Sequence, residues 1–446
     1  MRIGLLVSAA ALSLALAVPA SAGAVSVAPG HVLVRFDEST TRSQRIAVEK
    51  ATGTGLAIPL PSGARQLEIK DGESVGATLA ELRAQPVVRY ALPDYRIHAA
   101  ATSPFYPNDP GRGGLGNWRK IQWNFAGPFG IHAPQAWARM RQLGRDGGRG
   151  VVVAVIDSGV AYTNRGRFKR APDLYKSRFV KGWDFIAHDR YPLDQDSHGT
   201  HVTGTIAEHV NNKKAVTGLA YGVHIMPLRV LDSRGGGDGA TFARSIKWAV
   251  DHGAQVINMS VQFDNQLRAA DIPDVISAIR YAHQHGAVMV GASGNDSENH
   301  ISYPARDSNV IAVGASTDHG CLAEYSNVGD GLDVVAPGGG ADAPPDANVW
   351  DQTHCNPSRG GRHIFQQTFR SSPGSFHLIG FEGTSEATPH VAAVAALVIA
   401  SGVIGSHPSP NAVLSRIEHT ARDLGAPGYD KHYGFGLVDA AAAVGG

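Results

Sequence analysis

Apolar and polar positions along this chain follow two alternating periods. The apolar run Val151 to Ile156, rich in β-branched residues, stops at Asp157-Ser158-Gly159, the pattern of a parallel strand buried on both faces and ended by a turn. Similar runs at Ile225 to Leu231, Gln255 to Met259, Ala287 to Gly291 and Val310 to Ala315 predict further strands, and helices are predicted between them near Ala240 to Asp251 and Pro273 to His285. This alternation predicts an α/β fold: a mostly parallel sheet with helices on both faces. From His390 onward almost every residue is small and apolar, as in a helix buried on all sides, with Pro389 expected in its first turn. The stretch from Gly338 to His377, containing GGGADAPP, breaks the rhythm and reads as a surface insertion.

The first hundred residues carry a different pattern. Arg2 precedes the apolar run IGLLVSAAALSLALAV, and Pro19-Ala20-Ser21-Ala22 supplies an Ala-x-Ala cleavage motif, so residues 1–22 read as a secretory signal peptide. A transmembrane anchor is the competing reading; the run is short for a span and no stop-transfer cluster of charge follows it. Next, HVLVRFDEST alternates as a strand, VGATLAELRAQ has helical spacing, and PVVRYALPDYRIHA returns as a strand with an extended tail. IHAAATSPFYPNDPG is small and proline-containing, as expected of an exposed linker.

Three frames carry candidate chemistry. GFEGTSEATPHVAAVAALVIA places Ser385 at the mouth of the buried helix, and a serine hydroxyl needs a base within hydrogen-bond reach to act as a nucleophile. DSHGTHVTGTIAEHV offers His198, with Gly199 allowing close backbone approach and Val202, Ile206 and Val210 marking a helix that starts beside it. His201, nearly one turn further on, is expected to pack against its neighbours. Asp157 ends a strand at its carboxyl end, where catalytic groups of open α/β sheets sit. With Asp157, His198 and Ser385 in that order, the chain resembles the subtilisin family of serine peptidases, the subtilases, over nearly everything after the first couple of dozen residues.

That resemblance implies roles. Ser385 would attack the scissile carbonyl, His198 would shuttle the proton, and Asp157 would hold the imidazole in its tautomer. Asn295, in GAVMVGASGND, matches the family's oxyanion-hole asparagine, although Gly294-Asn295-Asp296 is also good turn chemistry. Gly235, Gly236 and Gly237 match the edge on which a substrate peptide pairs as an added strand, with a flexible loop as the bland alternative. Ser260 begins the opposite edge, and there Val261-Gln262-Phe263 departs from the family's Ser-x-Gly-Gly. Asp173 and Asn212 match oxygen ligands of the family's tight calcium site, which suits a hard cation, while Ala215 replaces a common glycine and Lys213 and Lys214 add positive charge. No cofactor is expected for the chemistry itself; at Asp173 and Asn212 a structural calcium site and a solvated loop stand as alternatives. Glu386 stands where relatives carry methionine, which removes a sulfoxide lesion beside the nucleophile and leaves Met259 as the nearest oxidisable residue. A Glu386 carboxylate close to His198 would favour the imidazolium.

The segment before the enzyme resembles the family's inhibitory propeptide, a small ferredoxin-like α+β domain. The expected organisation is a signal peptide at 1–22, a propeptide at 23–100 acting as intramolecular inhibitor, and a peptidase domain at 101–446 with an insertion near 338–377. Maturation is expected between His98 and Ser103. At 446 residues two or more folding units are expected. Lys+Arg 40 against Asp+Glu 39 leaves a net charge of +1, which offers no electrostatic case for nucleic acid, so polypeptides are the expected partners and a monomer the expected state. In an exported chain Cys321 and Cys355 can pair or stay free; pairing would contribute about 3 to 4 kcal/mol. The expected function is a secreted serine endopeptidase made as a zymogen; the alternative is a catalytically silent peptide-binding protein on the same fold.

Overall fold

The computed structural model describes residues 27–70, 73–95, 103–114, 116–344 and 354–445. The expected signal peptide, residues 98–102 of the maturation segment expected between His98 and Ser103, and residues 345–353 of the expected insertion lie outside these. Two compact units divide the chain, Met1–Ala101 and Thr102–Gly446.

In the first unit, β1 (Val27–Phe36), α1 (Arg42–Ala51), β2 (Thr54–Pro59), β3 (Arg65–Ile69), α2 (Val75–Arg83) and β4 (Val88–Tyr95) follow in order. The antiparallel sheet runs β2-β3-β1-β4, a ferredoxin-like α+β arrangement. Val32, Val34 and Phe36, alternate residues of β1, join Leu67, Leu79 and Leu82 in one core. Sequence reading anticipated β1, α2 and β4 and missed the elements between them. Helix α1 buries only Val48, so its apolar period is almost silent; its readable signal was the capping box of Thr41 and Gln44.

In the second unit, α3 (Trp123–Ala126) and α4 (Ala133–Gln142) precede β5 (Val152–Asp157), followed by β6 (Arg178–Phe179), β7 (Trp183–Asp184), α5 (His198–Ala207) and β8 (His224–Arg229). Then come α6 (Gly239–Asp251), β9 (Val256–Met259), α7 (Pro273–Gln284), β10 (Val288–Ala292), β11 (Val310–Ser316) and β12 (Val334–Pro337). The chain closes with β13 (Ile364–Thr368), β14 (His377–Phe381), α8 (Thr384–Ser401), α9 (Pro410–Thr420) and α10 (Ala440–Val444). The parallel sheet runs β12-β11-β10-β9-β5-β8-β6, with β7 also on β8. Successive β5 residues face opposite layers: Val153 and Val155 pack with α4, α5 and α8, whereas Ala154 and Ile156 pack with α6 and α7. The chain winds from β5 through α5 to β8 on one side, then crosses to β9 on the other. Winding thus reverses between β5 and β9, which opens a crevice at their carboxyl ends.

Two local findings refine the sequence reading. Helix α8 starts at Thr384, so Pro389 is its sixth residue rather than part of its first turn. Proline cannot donate to the carbonyl four residues back, and that carbonyl, Ser385 O, accepts instead from Ser260 Oγ at 2.8 Å. The stretch after β12 also contains regular structure. Strands β13 and β14 form an antiparallel hairpin, Ile364, Gln366 and Thr368 are buried, and Gln366 Nε2 donates to Thr205 Oγ1 of α5. Its buried side is largely polar, so it lacked the apolar alternation by which strands are recognised. Cys321 and Cys355 form a disulfide with Cα atoms 5.7 Å apart, within the usual span for such a link. Among the described residues no helix is long and apolar enough to cross a membrane.

Candidate active site

Four strand ends and two helix starts converge at the crevice. Asp157, the last residue of β5, is fully buried. Its Oδ1 accepts from Ser158 N at 2.7 Å and from His198 Nδ1 at 2.9 Å, and its Oδ2 lies 3.0 Å from the same Nδ1. His198 opens α5. A Cβ at Gly199 would collide with the Gly159 carbonyl, so only glycine lets α5 approach β5 this closely. Burial opposes charge on His198, but the Asp157 carboxylate and its hydrogen bond, reinforced by Glu386, outweigh burial and hold the imidazolium well above the ordinary range.

Ser385, the second residue of α8, is half-buried, and its hydroxyl donates to Ser260 O at 3.3 Å. Ser260 therefore grips the serine twice, since its own hydroxyl caps the Ser385 carbonyl. Asn295 lies just beyond β10. Thr384 N and Thr384 Oγ1 donate to its Oδ1 at 2.8 and 2.9 Å, which leaves the Nδ2 donors for other acceptors. The Asn295 backbone N–H is held by Gln262 Oε1 at 2.9 Å, and Gln262 Nε2 reaches Asp296 at 2.7 Å. This gives a physical account of one departure from the family pattern: a side chain at 262 braces the Asn295 turn.

His198, Ser385, Asn295, Ser260 and the Gly235–Gly237 edge line one cleft of about 520 Å³. On the other side of Ser385 a hollow of about 450 Å³ is lined by His198, His363, Phe381, Glu382 and Glu386. The arrangement can deprotonate a hydroxyl beside donors suited to an oxyanion. Met259 is fully buried, which corrects the expectation that it is the oxidisable residue next to the groove. His201 packs as expected, fully buried and stacked on Phe381 with ring centroids 4.5 Å apart.

Two supporting residues escaped sequence reading. Buried Asp194 accepts from Ser158 Oγ, Asp196 N, Ser197 N, Thr200 N and Thr200 Oγ1, tying the end of β5 to the start of α5. Burial pushes it up, to about 6, against the pull of these donors. Thr384 directly precedes the nucleophile in sequence, yet only a fold that brings residues 295 and 384 together makes its bond to Asn295. An Asp-x-Asp-Ser-His run was the sole local signal for Asp194.

Asp173 and Asn212 are neighbours in the fold, and Asn212 Oδ1 accepts from Lys214 N at 2.7 Å. Asn212 Nδ2 donates to Asp173 Oδ1 at 2.5 Å. Buried Asp109, not anticipated, joins them by accepting from Asn211 N and Asn212 N at 2.8 Å each. Next to them Glu208 is buried with Oε2 unpaired, and burial together with the neighbouring carboxylates pushes Asp173 and Glu208 above the ordinary range. Hard oxygen donors with an orphaned buried carboxylate oxygen among them fit a divalent cation of the calcium type.

Known proteins resemble this chain throughout. A family model described as Subtilase family matches residues 148–436, and one described as Fervidolysin N-terminal prodomain matches residues 14–94. A thermophilic serine proteinase of a Bacillus sp. is 31% identical over 418 residues, 93% of this chain and 87% of that protein. Thermitase of Thermoactinomyces vulgaris is 32% identical over 318 residues, 71% of this chain and 95% of its own. A solved protease from Pseudoalteromonas arctica matches with TM-score 0.59 and 30% identity, covering 76% of this chain and 98% of its own.

Proposed function

Because this chain belongs to the subtilase family of serine peptidases and carries an N-terminal prodomain, we propose that it is a secreted endopeptidase made as a self-processing zymogen, with Asp157, His198 and Ser385 as its catalytic residues. The observation that carries this reading is the Asp157–His198 hydrogen bond facing the same cleft as Ser385. Asp157 fixes the proton on Nδ1, so His198 Nε2 is the free base that takes the Ser385 proton as the hydroxyl attacks the scissile carbonyl. The oxyanion is stabilised by Asn295 Nδ2 and by the Ser385 backbone N–H, one of the first-turn donors that lack an intrahelical acceptor. His198 then protonates the leaving amine, and water hydrolyses the acyl-enzyme by the same route. The substrate lies as an added strand between the Gly235–Gly237 edge and the edge begun by Ser260, read through its backbone. The signal-peptide pattern at 1–22 supports export to the extracellular space or periplasm.

Labelling with phenylmethylsulfonyl fluoride tests the reading: a covalent adduct on Ser385 is expected, and its absence would sink it in favour of a silent peptide-binding protein. Asn295→Leu removes an oxyanion donor and leaves the nucleophile intact. Turnover should fall by about a hundredfold or more with little change in KM, and near-normal turnover would assign the donor elsewhere.

Asp173, Asn212 and Asp109 would hold the structural calcium, which would neutralise buried carboxylate charge and take no part in the chemistry. At about a hundredfold excess over its Kd, calcium should raise Tm by roughly 5 °C relative to chelator-treated protein. Identical melting with and without chelator would remove the ion from this loop.

A further inference from the structure

Beside the proposed base lies a buried carboxylate whose inner oxygen has no partner. Glu386 is 2% exposed, and its Oε1 lies 3.9 Å from His198 Nε2 and 3.5 Å from His201 Nδ1 without a hydrogen bond to either. His201 Nδ1 is also buried and unpaired. The other ring nitrogen of His201, Nε2, lies 3.0 Å from the Ile364 carbonyl and 3.3 Å from the Ile379 carbonyl. Carbonyl oxygens only accept, so Nε2 carries the proton, and a neutral ring then presents Nδ1 as an acceptor. Two acceptors facing one another in a dry site are unfavourable; one proton between them satisfies both.

The groups around this pair come from every neighbouring element. His198 and His201 stand on α5, Asp157 ends β5, and Tyr325 follows β11 with its hydroxyl on the Gly339 carbonyl at 2.8 Å. Glu382 precedes α8 and pairs with His363 at 3.1 Å; on α8 itself, His390 Nδ1 lies 2.8 Å from the Glu386 carbonyl. Burial pushes Glu386 up to about 7 despite the pull of His198, whereas burial, aided by the charge on His198, pushes His201 down to about 3. The proton therefore belongs to the glutamate.

We propose that Glu386 and His201 hold a single proton between Glu386 Oε1 and His201 Nδ1, which makes Glu386 a positioning residue behind His198 that is neutral until this proton leaves. The proposal rests on His198 being the general base. When the proton leaves to solvent, a carboxylate remains 3.9 Å from His198 Nε2 and favours the imidazolium. Removing one proton from the fully protonated site thus gives two forms: neutral His198 with the protonated pair, and imidazolium with the carboxylate. Only the first can deprotonate Ser385. The acid limb of the pH profile consequently belongs to both groups and lies higher than His198 and Asp157 alone would set it.

Glu386→Gln tests this, because the amide can donate to His201 Nδ1 and cannot ionise. In the full chain labelled with nitrogen-15 histidine, the wild-type His201 Nδ1 resonance should step as Glu386 ionises between about pH 5 and pH 9, with Nε2 remaining protonated. In Glu386→Gln that step disappears. The acid limb of kcat/KM moves down by about one pH unit, about tenfold more activity at a pH on the limb, with KM unchanged and the limb restored by the wild-type residue. A His201 Nδ1 resonance that does not move in the wild type overturns the proposal, and so does a Glu386→Gln limb that superimposes on the wild type. The wild-type titration decides the question should the variant fail to fold. Sulfonyl labelling of Ser385 is read separately, so a failed assignment of the base is distinguished from a failed proton pair.

Discussion

Ser385→Ala is expected to lower peptide hydrolysis about a million-fold and to leave the purified chain as a full-length precursor. The first effect follows from removing the only atom that forms the acyl bond. Nothing else in the cleft compensates: the remaining Asn295 donors and the strand-pairing edges retain the few thousandfold advantage over water that binding and oxyanion stabilisation supply. The second effect follows if the segment YALPDYRIHA, which leads into the linker, is cut by the chain's own peptidase unit. A peptide-hydrolysis assay of the purified variant checks the first, and gel mobility with N-terminal sequencing checks the second. Maturation of the pure variant without added protease would separate processing from the chain's own activity.

Asp157→Asn should cost about 10⁴ in kcat while leaving the fold intact. The size comes from the hydrogen-bond pattern. Asp157 Oδ1 already accepts from Ser158 N, so an asparagine keeps its carbonyl oxygen there and sets its NH₂ in the place of Oδ2, 3.0 Å from His198 Nδ1. Nδ1 must then be the acceptor, which moves the ring proton to Nε2, and the base for Ser385 is lost. Circular dichroism and Tm close to the wild type, together with the collapse of kcat, are the expected result. A variant within tenfold of wild type would mean that another group sets the tautomer. Asp194→Ala offers a contrast: it orphans the donors that join the end of β5 to α5, so stability should fall together with activity.

The sheet and its flanking helices were legible because buried parallel strands and amphipathic helices repeat within a few residues. Val151 to Ile156 already specified β5, which spans Val152–Asp157. The insertion was less legible. The buried side of β13 carries Gln366 and Thr368, whose partners on α5 and at Ser197 lie more than 150 positions away, so polarity disguised a packed element as a loop. Helix α1 was missed for the opposite reason, since it buries almost nothing.

The residue types and order of Asp157, His198, Ser385 and Asn295, the strand ends that carry them, and the carboxylate of Glu386 directly after the nucleophile are properties of the sequence alone. They could be read because each sits in a local frame with its own glycine, strand or helix signal. Tertiary structure alone decided which atoms face one another. It turned the Asn295 amide by way of Thr384, supplied Ser260 to the carbonyl that Pro389 leaves without a donor, brought Asp109 to Asp173 and Asn212, and set Glu386 against His201. Each of these contacts joins segments separated by tens to hundreds of residues, and the chain encodes such a meeting only through the packing of the whole domain.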